Sequence, residues 1–249
     1  MPNELVLVLV LVVTYSLVLL SSVLFGAGGL VCWTVLATIA ANIEVLILVD
    51  AFGMTMTLGN ILFASTFLVT DLLSELYSKK QANRAVNIGI FTSICFILIS
   101  QSWFLYTPNA ADTLAPTIYT VFSNTPRMML VGIVVYAIVQ RFDVWAYHFW
   151  WRFSEQRSGQ RRSWLFLRNN ASTLTSQLLN TILFTLGAFW GTYDGRTLLS
   201  IMVSSYLIFI ATSLLDTPFI YLARHLHEKK QARHAIADAH SGSCAEKEP

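Results

Sequence analysis

The residues of this 249-residue chain best equipped to do chemistry are polar groups set inside apolar runs. They are the carboxylates Asp71, Glu75, Asp143 and Asp216, the amides Asn42, Asn169, Gln177 and Asn180, and the guanidinium of Arg168. A charge at hydrocarbon depth costs about 3 kcal/mol or more, so such groups face a partner, the bundle interior or a water-filled path. Each amide also has donors and acceptors to satisfy. Together they suit noncovalent recognition: carboxylates accept N–H donors, amides both give and accept, and the arginine donates. Asp71 and Glu75 fall four residues apart in NILFASTFLVTDLLSELYSKKQANR (60–84), which puts them on one helix face. Glu75 either reaches the headgroup region and pairs there with Lys79, Lys80 and Arg84, or faces inward; Asp71 lies a turn deeper.

The elements that must position these groups are membrane-spanning helices. Hydrophobic residues make up 55% of the chain and charged ones 12%, with a mean hydropathy of +0.59, outside the soluble globular range. The expected fold is all-α, a polytopic membrane helix bundle. A span needs about 20 mostly apolar residues. Seven segments qualify: 5–25, 30–49, 58–77, 86–106, 128–150, 174–190 and 198–222. Gly26, Gly28 and Gly29 mark the first turn, and Gly53 a tight turn in the link 50–57. The opening apolar run is long, lacks a basic leader and is followed at once by another span, so it reads as a helix of the mature protein. Thirteen of the sixteen Lys and Arg residues fall in the links around 79–84 and 152–168 and from Arg224 onward. Alternating spans place all three regions on one side, the cytoplasmic side, together with the C-terminus. Seven spans put the N-terminus outside; six would remain if the first segment were cleaved or peripheral.

Within the spans the polar residues form stripes. Thr34, Thr38 and Asn42 follow at intervals of four beside Ala37 and Ala41, whose spacing favours close helix packing. Two rows in the sixth span, Ser172, Ser176, Asn180 and Thr173, Gln177, Thr181, cover about a third of its circumference. Hydroxyls there serve as interhelical hydrogen bonders, whereas Gln177 and Asn180 need several partners each, which an amide-bearing or purine-like ligand supplies. Asp216 precedes Pro218 by two residues and either pairs with Arg224 or a loop arginine, or faces the interior. In QRFDVWAYHFWWRF (140–153), Trp145, Trp150 and Trp151 fit an interfacial belt, and the short side chain of Asp143 requires a partner. Glu44 has no assignment. Cys32, Cys95 and Cys244 are scattered, with no spacing that makes a metal site or a disulfide framework.

FLVTDLLSELYSKKQANRAV, QRFDVWAYHFW, WLFLRNNASTLTSQLLNT and DTPFIYLAR, in that order, resemble the queuosine precursor transporter family, also described as vitamin-uptake-transporter-like membrane proteins. The resemblance runs from about Ala41 to Arg224. It implies a six-helix transporter core, 30–224, preceded by an extra span, 1–29, and followed by a disordered cytoplasmic tail, 225–249. It further implies an inner-membrane carrier importing 7-cyano-7-deazaguanine or a related 7-deazaguanine. All nine residues named above would be substrate-binding, with no cofactor, no metal and no nucleic acid; the lipid bilayer is the other partner and a homo-oligomer stays open. Three positions depart from the family pattern: Ser78 replaces a glycine, Asn180 an aspartate and Phe209 a lysine. Removal of both members of a buried ion pair is close to neutral while removal of one is not, so spans six and seven should meet at Asn180 and Phe209.

Two other readings stand beside this one. The chain could be the substrate-binding membrane subunit of an ATPase-driven vitamin transporter. It could also be a membrane enzyme using Asp71, Glu75 and His148 as acids and bases, although no activated nucleophile, histidine-rich set or phosphate loop accompanies them.

Overall fold

The computed structural model of the chain describes residues 2–109, 111–123, 126–158 and 165–245, with side chains of the last helix described as far as 232. In chain order it contains α1 (Asn3–Glu44), the strands β1 (Leu48–Ala51) and β2 (Met54–Thr57), α2 (Gly59–Leu76), α3 (Lys79–Ser102), α4 (Ala115–Ser123), α5 (Pro126–Ser158), α6 (Leu165–Phe189) and α7 (Gly195–Ala245). A bundle of α-helices is what the apolar periodicity and span lengths require, and the chain is all-α apart from one small hairpin.

Element α1 is two helical arms that meet at Gly26, whose φ of 61° and ψ of −140° only glycine adopts without strain. The arms return on each other. The Asn3 amide donates to the Asp50 carbonyl at 2.8 Å, and the Phe52 N–H donates to Glu4 at 3.0 Å, so the start of the first arm meets the hairpin that follows the second. These arms are the first two expected spans. The second stops at Glu44, short of Val49, because Val49 has joined β1, where it pairs with Met56. Phe52 and Gly53 close the hairpin with φ of 53° and 72°, the two positive values that a tight two-residue hairpin turn uses.

The first arm buries Leu7, Leu11, Tyr15, Val18 and Ser22, three or four residues apart, and exposes Leu5, Leu9, Val13, Leu20 and Leu24. Its Tyr15 hydroxyl donates to the Thr212 carbonyl at 3.3 Å, and the ring meets Phe219 edge-on, so this arm is packed on α7. Among the described residues four helices are long and apolar enough to cross a membrane: Asn3–Glu44, Lys79–Leu105, Arg127–Gln156 and Gly195–Ala232. The more polar α2 and α6 are screened by the others. Every residue of α2 from Ala64 to Ser74 is buried, and the buried row of α6 runs through Arg168, Asn169, Asn170, Ser172, Thr173, Ser176, Gln177 and Asn180. The bundle is therefore apolar outside and polar within.

Pro218 sits inside a continuous α7, and the helix proceeds past His225 to Ala245, where a tail without regular structure was expected. Its Glu, Lys, Gln, Ala and Arg residues are strong helix formers, which accounts for the continuation. Arg161, Arg162 and Lys247 of the expected basic regions lie outside the described residues. The two ends of the bundle differ. At the basic end the Tyr77 and His227 rings touch and Lys230 donates to the Val23 carbonyl at 3.2 Å, beside Gly26 and the start of α3. At the hairpin end Arg127 donates to the Gly187 and Trp190 carbonyls.

Candidate functional site

Three polar layers are stacked along the bundle axis. Nearest the hairpin end is a cavity of about 80 Å³, lined among others by Asn42, Asn60, Phe63, Tyr136, Asn180, Phe184 and Phe209. Each wall follows from local sequence. Gly89 of α3 lets Tyr136 come close, since a Cβ there would lie 2.6 Å from its hydroxyl, and Gly132 lies beside the Asn42 amide oxygen. Asn42 is anchored by donating to the Thr38 carbonyl at 2.7 Å. The Asn60 amide nitrogen and the Tyr136 hydroxyl are buried with no hydrogen-bond partner among the described residues. Three phenyl rings and three amides around one space give a planar polar solute both faces and edges to bind. Asn180 and Phe209 share this wall, so α6 and α7 face the same space at the two positions where the family pattern has opposite charges.

A small apolar cluster of Phe67, Val135 and Val139, packed with Phe63, Leu179 and Phe184, lies below the cavity. The second layer is two helical turns, about 10 Å, deeper: Tyr136 to Asp143, Phe209 to Asp216 and Asn180 to Thr173 are each seven residues. Here α2, α5 and α7 bring Asp71, Asp143 and Asp216 together around α6, each 1% exposed or less. Asp71 Oδ2 accepts from Thr173 at 3.0 Å, and Asp216 Oδ1 accepts from the Asn169 amide at 2.8 Å. The Thr70 hydroxyl lies 3.3 Å from both Asp143 Oδ2 and Gln140 Oε1, while Gln140 donates to Thr66 at 2.6 Å. Asn170 bridges Thr217 and Ser213. Among the described residues Asp71 Oδ1, Asp143 Oδ1, Asn169 Oδ1 and Gln177 Oε1 accept from no donor, and the Ser176 hydroxyl is likewise unpartnered. The layer is rich in acceptors and short of donors.

The third layer closes the basic end. Glu75 accepts from Arg168, from the Tyr147 hydroxyl at 2.8 Å and from Arg224 at 3.3 Å, tying α2 to α5, α6 and α7. The Arg168 guanidinium lies 4.3 Å from the Trp151 ring centre, a cation–π stack, with the Arg168 side chain 1% exposed and that of Glu75 5%. Glu75 is therefore an inward-facing anion and not a surface partner of Lys79, Lys80 and Arg84. Arg224 pairs with Glu75 and Glu228, and Asp216 is held by Asn169 instead.

The nine residues singled out in the sequence thus divide among depths. Asn42 and Asn180 line the cavity; Asp71, Asp143, Asn169 and Asp216 make the acid layer, with the buried Gln177 between the two; Glu75 and Arg168 form the closure. Sequence reasoning missed Asn60, Phe63, Tyr136 and Phe184 in the cavity and Trp151 in the closure. Asn60 opens the very stretch that carries Asp71, four turns ahead of Glu75, and its amide at the head of an apolar helix was the available signal. Trp151 sits in a run of aromatics whose members look alike until the bundle is closed.

Residues 57–223, more than half of the chain, match the family described as "Putative vitamin uptake transporter". A Bacillus subtilis (strain 168) protein named "Probable queuosine precursor transporter" is 34% identical over 215 residues, 86% of this chain and 92% of that relative. No solved structure matches. The family match takes in α2, α3, α5, α6 and the first part of α7, and on these two similarities the chain belongs to the vitamin uptake transporter family of membrane proteins and is a transporter, not an enzyme.

Proposed function

We propose that this chain imports a 7-deazaguanine precursor of the tRNA nucleoside queuosine, such as 7-cyano-7-deazaguanine, across the inner membrane, with the basic end and the C-terminus in the cytoplasm. The observation that carries the reading is the cavity of amides and phenyl rings stacked on the same axis as a layer of buried acceptors, with the Phe67, Val135 and Val139 cluster between them. A guanine-like edge presents N–H donors beside a carbonyl oxygen, and its faces stack on aromatic rings. Asn42 and Asn180, with Asn60 and Tyr136, receive that edge first; Gln177, Asp71, Asp143, Asn169 and Asp216 offer the acceptors along the route inward. Glu75 and Arg168 bound the route at the cytoplasmic side. The name of the Bacillus relative supports the same substrate class. The charge asymmetry supports the orientation, since basic residues concentrate at one end. The transport core is assigned to 30–224, with the first arm of α1 and the segment after 224 as additions.

The test is genetic and direct. A bacterial strain unable to synthesise queuosine, given this gene alone and labelled 7-deazaguanine, should accumulate the label and restore queuosine in its tRNA. Restoration only when an ATPase module is supplied would make the chain a binding subunit, and no restoration under either condition would overturn the reading.

A further inference from the structure

We propose that the acid layer of Asp71, Asp143 and Asp216 is a proton-binding site, and that protons passing through it couple solute movement to a pH gradient. The inference rests on the carrier reading and deepens it by assigning the energy source.

Three helices deliver these carboxyl groups to one wholly buried volume. Among the described residues no Lys, Arg or His forms an ion pair with any of them; the nearest cations, Arg168 and Arg224, are engaged by Glu75 one to two turns away. Asp71 senses Asp143 from α5, Asp216 from α7 and Glu75 from its own helix. From α1 and α5 the groups that face the layer are the hydroxyls of Tyr15 and Tyr147. From α6 they are Thr173, Asn169 and Ser176, the last turned toward Asp143, with Arg168 beyond. Three full negative charges in this volume would each carry a desolvation cost of several kcal/mol and would repel one another.

The hydrogen-bond count points the same way independently. Asn169 is 0% exposed and donates to Asp216, yet among the described residues nothing donates to its own carbonyl oxygen or to that of Gln177, 1% exposed. With Asp71 Oδ1 and Asp143 Oδ1 that makes four buried acceptors, against the two unpartnered hydroxyls of Ser176, which faces Asp143, and Ser74. A proton on a carboxylate removes one charge and creates one O–H donor, so it mends both deficits at once. A chelated metal ion fits less well, because among the described residues no group of three His, Cys, Asp or Glu side chains converges closely enough to hold one. Each proton bound adds one O–H bond at a carboxylate on the acidic side, and the same bond is lost to water on the other.

Two measurements on the purified full-length protein test this. In proteoliposomes a one-unit pH difference, acid on the hairpin side, should drive 7-cyano-7-deazaguanine to a plateau about tenfold above the outside concentration if one proton accompanies each solute. Asp71→Asn and Asp143→Asn should each bring that plateau down toward equality. By infrared spectroscopy the wild-type protein at neutral pH should show a protonated-carboxyl stretch that shifts in deuterated water and loses intensity in each variant. Accumulation that follows a sodium gradient at fixed pH, or a plateau indifferent to pH, overturns the proposal. If no solute moves, the carrier reading fails while the infrared band still decides: its absence in wild type removes the proton site whatever the variants do.

Discussion

Glu75 shows how one side chain changes meaning once its neighbours are known. Beside two lysines and an arginine in sequence it looks like half of a surface pair, worth little; in the bundle it neutralises Arg168, whose guanidinium lies between Glu75 and the Trp151 ring. Removing one member of a buried pair strands the other, so Glu75→Gln should destabilise the protein by about 3–5 kcal/mol, seen as a lower unfolding temperature in detergent. Arg168→Lys keeps the charge but loses the flat stack and the fork of donors, and the same assay should rank it as damaging; wild-type stability for both would mean the closure carries no load. Asn180 and Phe209 allow a complementary test. Asn180→Asp alone puts an unpaired carboxylate on the cavity wall, whereas Asn180→Asp with Phe209→Lys supplies its counterion. The double-mutant cycle should return a favourable coupling of about 0.5–3 kcal/mol, and strict additivity would show that the two positions do not meet.

At the scale of elements, close approach of helices depends on where a Cβ is missing. A methyl group at Gly59 would lie 2.9 Å from the Ala41 carbonyl oxygen of α1 and 3.0 Å from the nitrogen of Val45, which caps that helix; both are backbone atoms that cannot swing aside. Gly59→Ala should therefore separate α1 from α2, widen the cavity wall and cost about 1–3 kcal/mol. At Gly28 no atom lies within 4 Å of the added methyl, so Gly28→Ala is the matched control and should be neutral or slightly stabilising. Thermal unfolding of the two variants side by side settles the point. The elements themselves were legible because hydropathy reports what touches lipid: both arms of α1, α3, α5 and α7 stand out by length and composition. The faces of α2 and α6 were legible from periods of three and four. What one sequence could not give was the axial stagger between helices. That stagger decides that Asn42 and Asn180 share a level while Asp71 lies two turns below, and that Trp151 and Tyr147 meet Arg168.

For the whole molecule, the order of layers defines a direction. The cavity lies toward the hairpin end, an apolar cluster of Phe67, Val135 and Val139 lies under it, and the Glu75 closure joins four helices at the basic end. A carrier must expose its site to one side at a time, and a closure made of a few charged contacts is a suitable bistable part because water can replace its hydrogen bonds when it opens. The structure then has the arrangement of a carrier sealed toward its basic end. In a chain whose cysteines are replaced by serine, a single cysteine at Met128, on the cavity wall and only half-buried, should react with a membrane-impermeant thiol reagent added on the hairpin side and should be protected by 7-cyano-7-deazaguanine. A cysteine at Ser74, one residue before Glu75 and buried, should resist the reagent added on the basic side. Glu75→Gln removes the anion that holds Arg168 and Arg224 together, so it should raise the Ser74 cysteine's reactivity from the basic side by about tenfold, the effect of a shift of about 1.4 kcal/mol in the opening equilibrium. Faster labelling of the Met128 cysteine from the basic side than from the hairpin side in the otherwise unaltered chain would reverse the direction assigned to the layers.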